Sequence, residues 1–291
     1  MYKRQDKRKA LGVFDGGMDV SDPEGVRALL TELGGELADD GKPRSVFMDY
    51  YAALAQAHMD AFGTTQKQLA VISEKNHAHA VHNPLAHFRE EMSAADILAA
   101  RPVVGPLTVP MCAPLTDGAA AAIVCNAAGL RRLGAQHPIR VLAAVLGTGT
   151  VRPLSAWDRS ATRLAALQAY EEAGVGPEDV SVAEVHDASA FGELLQTELV
   201  GFCEIGSGGE FAESGASRLG GRLPVNPSGG LESKGHPMGA SGLAQIHELV
   251  HQLRGTCGAR QVPGARIALA ENGGGLYAGE EAAAAITILS P

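Results

Sequence analysis

Apolar positions in the first part of the chain recur at helical spacing. Between Ser45 and Phe62, residues Phe47, Tyr50, Tyr51, Leu54 and His58 fall on one side of a helix. A second helical run extends from Thr65 to His82, and Pro84 stops it. Upstream, from Asp15 to about Asp40, the pattern is only weakly helical (EGVRALLTELGGEL) and is broken by Gly-Gly and Asp-Asp. Beyond Pro114 the texture changes to short apolar runs alternating with helical stretches. Strands are predicted over Ala119–Val124, Ile139–Gly147, Val182–His186, Ala265–Ala270 and Ala283–Leu289. Helices are predicted over AAGLRRLG, closed by Gly134, over Arg163–Gly174 with Leu164, Leu167 and Tyr170 on one face, and over Phe191–Phe202. Such alternation indicates an α/β layered domain, with chemistry carried by the loops at strand ends.

At 291 residues the chain is long enough for one large domain or two ordinary ones. The change of texture divides it into 1–113 and 114–291. Apolar residues make up 45% but aromatics only 4%, with 36 glycines, which suits helices packed closely on sheets. A net charge of -9 argues against a nucleic-acid footprint, which needs a basic face. The one basic cluster, Lys3, Arg4, Lys7, Arg8 and Lys9, reads as a solvated end, and the abruptly polar residues 1–10 as frayed or appended chain. No segment approaches the ~18 consecutive apolar residues needed to span a bilayer. Asp15, Gly16 and Gly17 break the apolar core a signal peptide would need, so a cytoplasmic protein is expected. Cys112, Cys125, Cys203 and Cys257 form no C-x-x-C pair and read as free thiols.

The stretch Asn226–Gly242, NPSGGLESKGHPMGASG, holds five glycines and a single histidine and leads into the helical pattern LAQIHELVHQLR. Such a loop lets backbone approach a ligand and delivers a side chain at a helix entrance. That side chain is His236, whose neutral imidazole would take a proton from a thiol or donate to an oxyanion. Capping of a glycine-rich turn is the plainer reading. The following helix, with Leu243, Ile246, Val250 and Leu253 expected on its buried face, carries His247-Glu-Leu-Val-His251, a formal H-E-x-x-H match with Glu271 as a third ligand, which makes a zinc hydrolase a rival. His77, His79, His82 and His87 also invite a metal reading, but without acidic or thiol partners such histidines are more often hydrogen-bonded residues of the core or surface. Neither a P-loop run nor G-x-S-x-G is present.

The run NPSGG followed by KGHPMGASG resembles the penultimate active-site loop of thiolases, and its wording is similar to the sterol-carrier-protein-type branch of that superfamily. KNHAHAVHNPLAHF from Lys75, PLTDGAAAAI from Pro114, AYEEAGVGPEDVSVAEVHD from Ala169 and RQVPGARIALAEN from Arg260 agree in order. The likeness covers nearly all of the chain from about Leu11 to Leu289 but not the front of the family pattern. It implies an α/β thiolase-like layered fold, here the C-terminal half plus the covering loop region that helps hold coenzyme A. It further implies that His236 activates a nucleophilic cysteine and that His186, in VHDASAF, helps bind a thioester oxygen, with Asp187 a structural acceptor. Asn272, in ALAENGGG, occupies the turn that is HNLG-like in the family. Asn226, Gly235 and Gly239 belong to the loop that approaches the substrate.

Two departures accompany the resemblance. The nucleophilic cysteine lies in an N-terminal half without counterpart here, and Cys112 and Cys203 read as small buried residues. The second cysteine, the base, is replaced by Ala188, and ENGGG supplies no other; Glu271 or a histidine would have to serve. The expectation is an incomplete thiolase-like acyltransferase that uses a coenzyme A thioester as substrate, without metal or resident cofactor. Nucleophile-free retro-aldol cleavage of a CoA-linked side chain, beside a small zinc-ribbon and oligonucleotide-fold partner, is one alternative. A non-catalytic acyl-CoA or lipid binder is another. Thiolases commonly pair, so a homodimer or larger assembly is expected, with exposed apolar surface on a lone half.

Overall fold

The computed structural model describes residues 23–33, 45–134, 136–153 and 155–291. The basic cluster and most of the weakly helical stretch lie outside them. Helix α1 spans Pro23–Glu32. Helix α2 (Val46–Phe62) starts where Ser45 accepts a hydrogen bond from the Phe47 amide, and α3 (Gln66–Ala80) starts at a capping box of Thr65 and Gln68. After α4 (Ala94–Ala99), strands β1 (Pro102–Val104) and β2 (Leu107–Thr108) form a small antiparallel pair. Then follow α5 (Ala127–Leu133), β3 (Arg140–Thr148), α6 (Ala161–Ala173), β4 (Val182–Glu184) and α7 (Ala190–Leu199). The chain ends with α8 (Gly208–Glu213), α9 (Gly230–Lys234), α10 (Ser241–Leu253), β5 (Ala268–Gly274) and β6 (Ala283–Ser290).

The four-stranded sheet has the order β3-β6-β5-β4, with β3 and β5 antiparallel to β6 and β4 parallel to β5. On one face α6 lays Ala165, Ala166, Ala169 and Tyr170 against Val145 and Ile286. On the other, Leu249 and Leu253 of α10 meet Ala268 and Leu289. A third core joins α2, α3 and α7 through Leu54, Leu69, Ile72, Phe191 and Leu194. Each such large side chain, fully buried, contributes about 1.5–3 kcal/mol. This core packs α2 on α7, and so places Tyr51 beside Gly192 and the backbone of His186 and Asp187.

Four expectations are corrected. The inner face of α6 is alanine, with Leu164 and Leu167 exposed, because small residues let the helix approach the sheet. Helix α10 buries Gln245, Glu248 and Gln252 while Leu243 is exposed; these polar groups bond the Glu271 carbonyl, the Arg260 side chain and the Arg260 carbonyl. Strand β5 runs on through Glu271–Gly274, paired with β6 from Asn272↔Ala285 to Gly274↔Ala283, where a turn was expected. Residues 119–124 form no strand: no neighbour pairs with them among the described residues, and Ile123 and Val124 are 85% and 84% exposed. Leu146, on the outer side of edge strand β3, is 70% exposed as well. Among the described residues no helix is long and apolar enough to cross a membrane.

Candidate active site

Strand β4 delivers His186 two residues beyond its end, and the backbone there is pinned from two sides. Asn226 Oδ1 accepts from the Val185 amide at 2.8 Å, and Glu271 Oε2 accepts from the His186 amide at 2.8 Å. Asp187 then turns away from the site. Its Oδ1 accepts from the Leu231 amide at the start of α9 at 2.7 Å, and its Oδ2 accepts from Asn76 at 3.2 Å, the structural role expected of it. Gly230, at φ 61, abuts this carboxylate so closely that a Cβ would collide with it.

His236 reaches the same place from the glycine loop. Its amide donates to the Pro114 carbonyl at 3.0 Å, and a backbone bridge joins it to Leu115. The two imidazoles meet edge to face with centroids 5.1 Å apart.

The protonation of His186 follows from a chain of amides. Gln245 Nε2 donates to the Glu271 carbonyl at 2.9 Å, leaving Gln245 Oε1 to accept from Asn272 Nδ2 at 3.2 Å. That same Nδ2 lies 3.1 Å from His186 Nδ1, which must therefore accept. The hydrogen of the neutral ring is thus on Nε2. His236 Nδ1 lies 2.7 Å from Ser241 Oγ, so its Nε2 is also left for a ligand. Burial first, and then the neighbouring His236, pushes His186 down to about 3; burial and Lys234 push His236 down to about 4. Both rings are neutral near pH 7.

They border a cavity of about 470 Å3. Asn272 and the backbone of Gly273–Gly275 form one wall, Tyr50 and Tyr51 of α2 another, and Cys112, Ala188 and Glu281 complete it. A few polar groups on a largely apolar wall is the usual make-up of a small-molecule site. Cys112 corrects an expectation: it is half-buried and faces the cavity, because the Ala113 amide donates to the Ala188 carbonyl and holds this segment beside the His186 loop. Burial, then Glu232, pushes its thiol up to about 12, so the resting group is neutral. Tyr51 and Glu281 were also missed. An acid pair directly before the alternating strand AAAAITIL was the available signal for Glu281.

Other candidates lie off the cavity. Asn226 is fully buried at φ 53, and its amide nitrogen donates to Glu193 at 2.8 Å, so it holds the loop in place. Gly235 packs on Thr116, and Gly239 is exposed on a short turn before α10. Glu271 is buried on the opposite side of β5 from Asn272 and is not among the residues that line the cavity; its Oε2 holds the His186 amide, so its place is beneath the site rather than in it. The zinc reading fails on geometry. Glu248 is ion-paired with Arg260 at 2.9 Å, His251 bonds Thr256, and Glu271 is committed to His186. Both nitrogens of His79 are used, one by the Asn226 carbonyl and one by the Leu219 amide. No group of three or more metal-ligating side chains is positioned for an ion among the described residues.

The sequence pattern of the family described as Thiolase C-terminal domain-like matches residues 148–290. An acetyl-CoA acetyltransferase from Methanothermobacter thermautotrophicus is 40% identical over 262 residues, covering 88% of this chain and 67% of that protein. The chain belongs to the thiolase superfamily. Within it the chain falls in the sterol-carrier-protein type. Sterol carrier protein 2 from Rattus norvegicus is 42% identical over 231 residues, 76% of this chain and 42% of the relative. Benzoylsuccinyl-CoA thiolase subunit BbsB from Thauera aromatica is 42% identical over 234 residues, 79% and 61% respectively. The chain thus spans about two-fifths of the length of the sterol carrier protein 2 relatives. Two solved structures share the fold of this thiolase-type chain. The Ltp2-ChsH2(DUF35) aldolase superposes with a TM-score of 0.69 at 23% identity over 82% of this chain and 63% of that one. A monomeric SCP2-thiolase like protein type 1 from Mycobacterium smegmatis gives 0.60 at 18% identity, over 83% and 51%.

Proposed function

We propose that this chain activates acyl-CoA thioesters for thiolase-type carbon–carbon chemistry, Claisen condensation or thiolytic cleavage of a 3-oxoacyl-CoA. The observation that carries the reading is the pair of neutral imidazoles, each anchored at Nδ1 and opening Nε2 to one cavity. Two fixed donors around one point stabilise a thioester oxygen as it gains charge, and they do so without rearrangement during the reaction. His186 Nε2–H is a donor by its bonding. His236 donates when Ser241 supplies the hydrogen to Nδ1, and accepts a thiol proton in the other tautomer. The relatives support this substrate class: one is named an acetyl-CoA acetyltransferase and one a benzoylsuccinyl-CoA thiolase subunit. The word subunit also supports a partner chain, and the exposed Ile123, Val124 and Leu146 support association with a second copy or a partner.

The test is equilibrium binding of acetyl-CoA against S-ethyl-CoA, the thioether that lacks the carbonyl. The expected result is tighter binding of the thioester, with the preference lost in His186→Ala and His236→Ala. Equal binding of both ligands by the unsubstituted protein, or none of either, overturns the reading.

A second reading, retro-aldol cleavage without an acyl-enzyme, is favoured by Ala188, which stands in the cavity where the family resemblance expects a thiol base. It uses the same oxygen site. Release of an aldehyde or ketone from a 3-hydroxyacyl-CoA, with no consumption of 3-oxoacyl-CoA and CoA, would select it.

A further inference from the structure

The cavity needs a group that removes a proton from the carbon beside the thioester, and the thiol that does this in the family is absent at Ala188. The titratable side chains of the wall are His186, His236, Cys112, Tyr50, Tyr51 and Glu281. His186 carries its hydrogen on Nε2 toward the cavity and is a donor there, and His236, with Nδ1 against Ser241 Oγ, is taken up as the second donor to the thioester oxygen. Cys112 and both tyrosines hold their protons, since burial pushes all three up. Glu281 differs from them in how it is held. Thr162 Oγ1 donates to its Oε2 at 2.7 Å and Gln196 Nε2 donates to its Oε1 at 2.9 Å. Its carboxyl also lies against Gly273, on the face of β5 that Gly273 shares with Glu271, in a space that any Cβ at that position would occupy.

We infer, on the footing of the acyl-CoA reading above, that Glu281 is the general base that removes the α-proton of the bound thioester. The α-carbon–hydrogen bond breaks, the proton passes to a Glu281 oxygen, and the electron pair forms the carbon–carbon double bond of an enolate. The displaced carbonyl pair rests on the thioester oxygen between His186 and His236. In the reverse step Glu281 returns a proton to the α-carbon, so no oxidant, metal or nucleophile is required. Two neutral donors fix the carboxyl without a cation to neutralise it. Burial is the leading cause that pushes Glu281 up to about 7, with Thr162 and Gln196 opposing and Glu280 reinforcing. Tyr50 and Tyr51 face it from α2 and Glu271 from β5, while Arg152 pairs with Glu280 at 3.1 Å. A base with a pKa near the working pH is ionised and still strong enough to take the proton.

The experiment is exchange of the methyl protons of acetyl-CoA for deuterium in heavy water, followed by NMR for the protein and for Glu281→Gln and Glu281→Asp. Acetyl-CoA and S-ethyl-CoA affinities and thermal midpoints are measured in parallel. The unsubstituted protein is expected to exchange at a rate that rises through about pH 7 and then levels. Glu281→Gln keeps the Thr162 and Gln196 neighbourhood, and should slow exchange ~100-fold or more with the affinity held within about twofold. Glu281→Asp should retain part of the rate with a displaced pH midpoint. Exchange by Glu281→Gln at the unsubstituted rate, or an unmoved midpoint in Glu281→Asp, overturns the assignment to Glu281 and leaves the oxygen site standing. Thioester-selective binding without any exchange overturns it equally. Failure to prefer thioester over thioether removes the site reading itself.

Discussion

Replacing Asn272 by aspartate keeps the side-chain size and reverses one hydrogen bond. Asn272 Nδ2 now donates to His186 Nδ1 at 3.1 Å, which puts the ring hydrogen on Nε2 in the cavity. An aspartate oxygen accepts, so the neutral ring moves its hydrogen to Nδ1 and turns an Nε2 lone pair toward the thioester oxygen. Loss of one oxyanion donor costs about 2.7–4 kcal/mol, or 10²–10³ in rate. The new carboxylate also raises the His186 pKa from its depressed position near 3. The imidazolium that forms on acidification regains Nε2–H, so the deficit relative to the unsubstituted protein should shrink as pH falls. The new carboxylate stands one residue from Gly273, against which Glu281 packs, so each profile is first fitted with its own Glu281 midpoint before the ratio is taken. Asn272→Ala enforces neither tautomer, so part of the population keeps the hydrogen on Nε2, and it should cost less than Asn272→Asp. The assay is deuterium exchange into acetyl-CoA, with thermal midpoints to account for the loss of the Gln245 contact. A rate for Asn272→Asp equal to the unsubstituted one, or a deficit smaller than that of Asn272→Ala, refutes the tautomer assignment.

Lys75 and Glu193 form a buried ion pair at 2.6 Å, and Lys75→Met should destabilise the protein by about 3–5 kcal/mol in urea unfolding, since it strands the carboxylate; a loss under about 1 kcal/mol contradicts this. His186 titrates near 3 when folded and near 6.5 when not, so the stability it contributes is complete above pH 6.5 and declines as pH falls toward 3. Moving from pH 7 to 5 should therefore cost the unsubstituted protein about 2 kcal/mol more than His186→Asn, and equal losses would refute the buried neutral ring. The double substitution Ile123→Asp and Val124→Asp should lower self-association in sedimentation while changing stability by no more than about 0.5 kcal/mol, because both side chains are exposed; unchanged association places the contact elsewhere.

Local signals were readable where one short stretch determines the outcome. Ser45 and Thr65 cap the helices expected after them, and Gly134 and Gly174 close α5 and α6 in the left-handed conformation. The glycine loop and the VHD segment announced both histidines, since each lies beside residues that restrict backbone or cap a helix. Glu281 was not legible, because its place depends on the β5–β6 register and on Thr162 and Gln196, both far away in sequence. Cys112 was missed for the same reason: only the pairing of its segment with Ala188 and His236 turns it to the cavity. Periodicity misread α10, where Gln245, Glu248 and Gln252 are buried because backbone and Arg260 satisfy them. Residues 119–124 misled in the opposite sense. Their apolar pattern is that of a strand, but pairing needs a neighbour, and none is present among the described residues.

The proposed chemistry depends on His186 and His236 gripping a thioester oxygen. Difference infrared spectroscopy of acetyl-CoA labelled with carbon-13 at the carbonyl reads that grip directly. The expected result is a carbonyl band displaced to lower frequency on binding, with the displacement reduced in His236→Ala and further reduced in the double variant with His186→Ala. Bound acetyl-CoA whose carbonyl band stays at its frequency in water, in the unsubstituted protein, would contradict it.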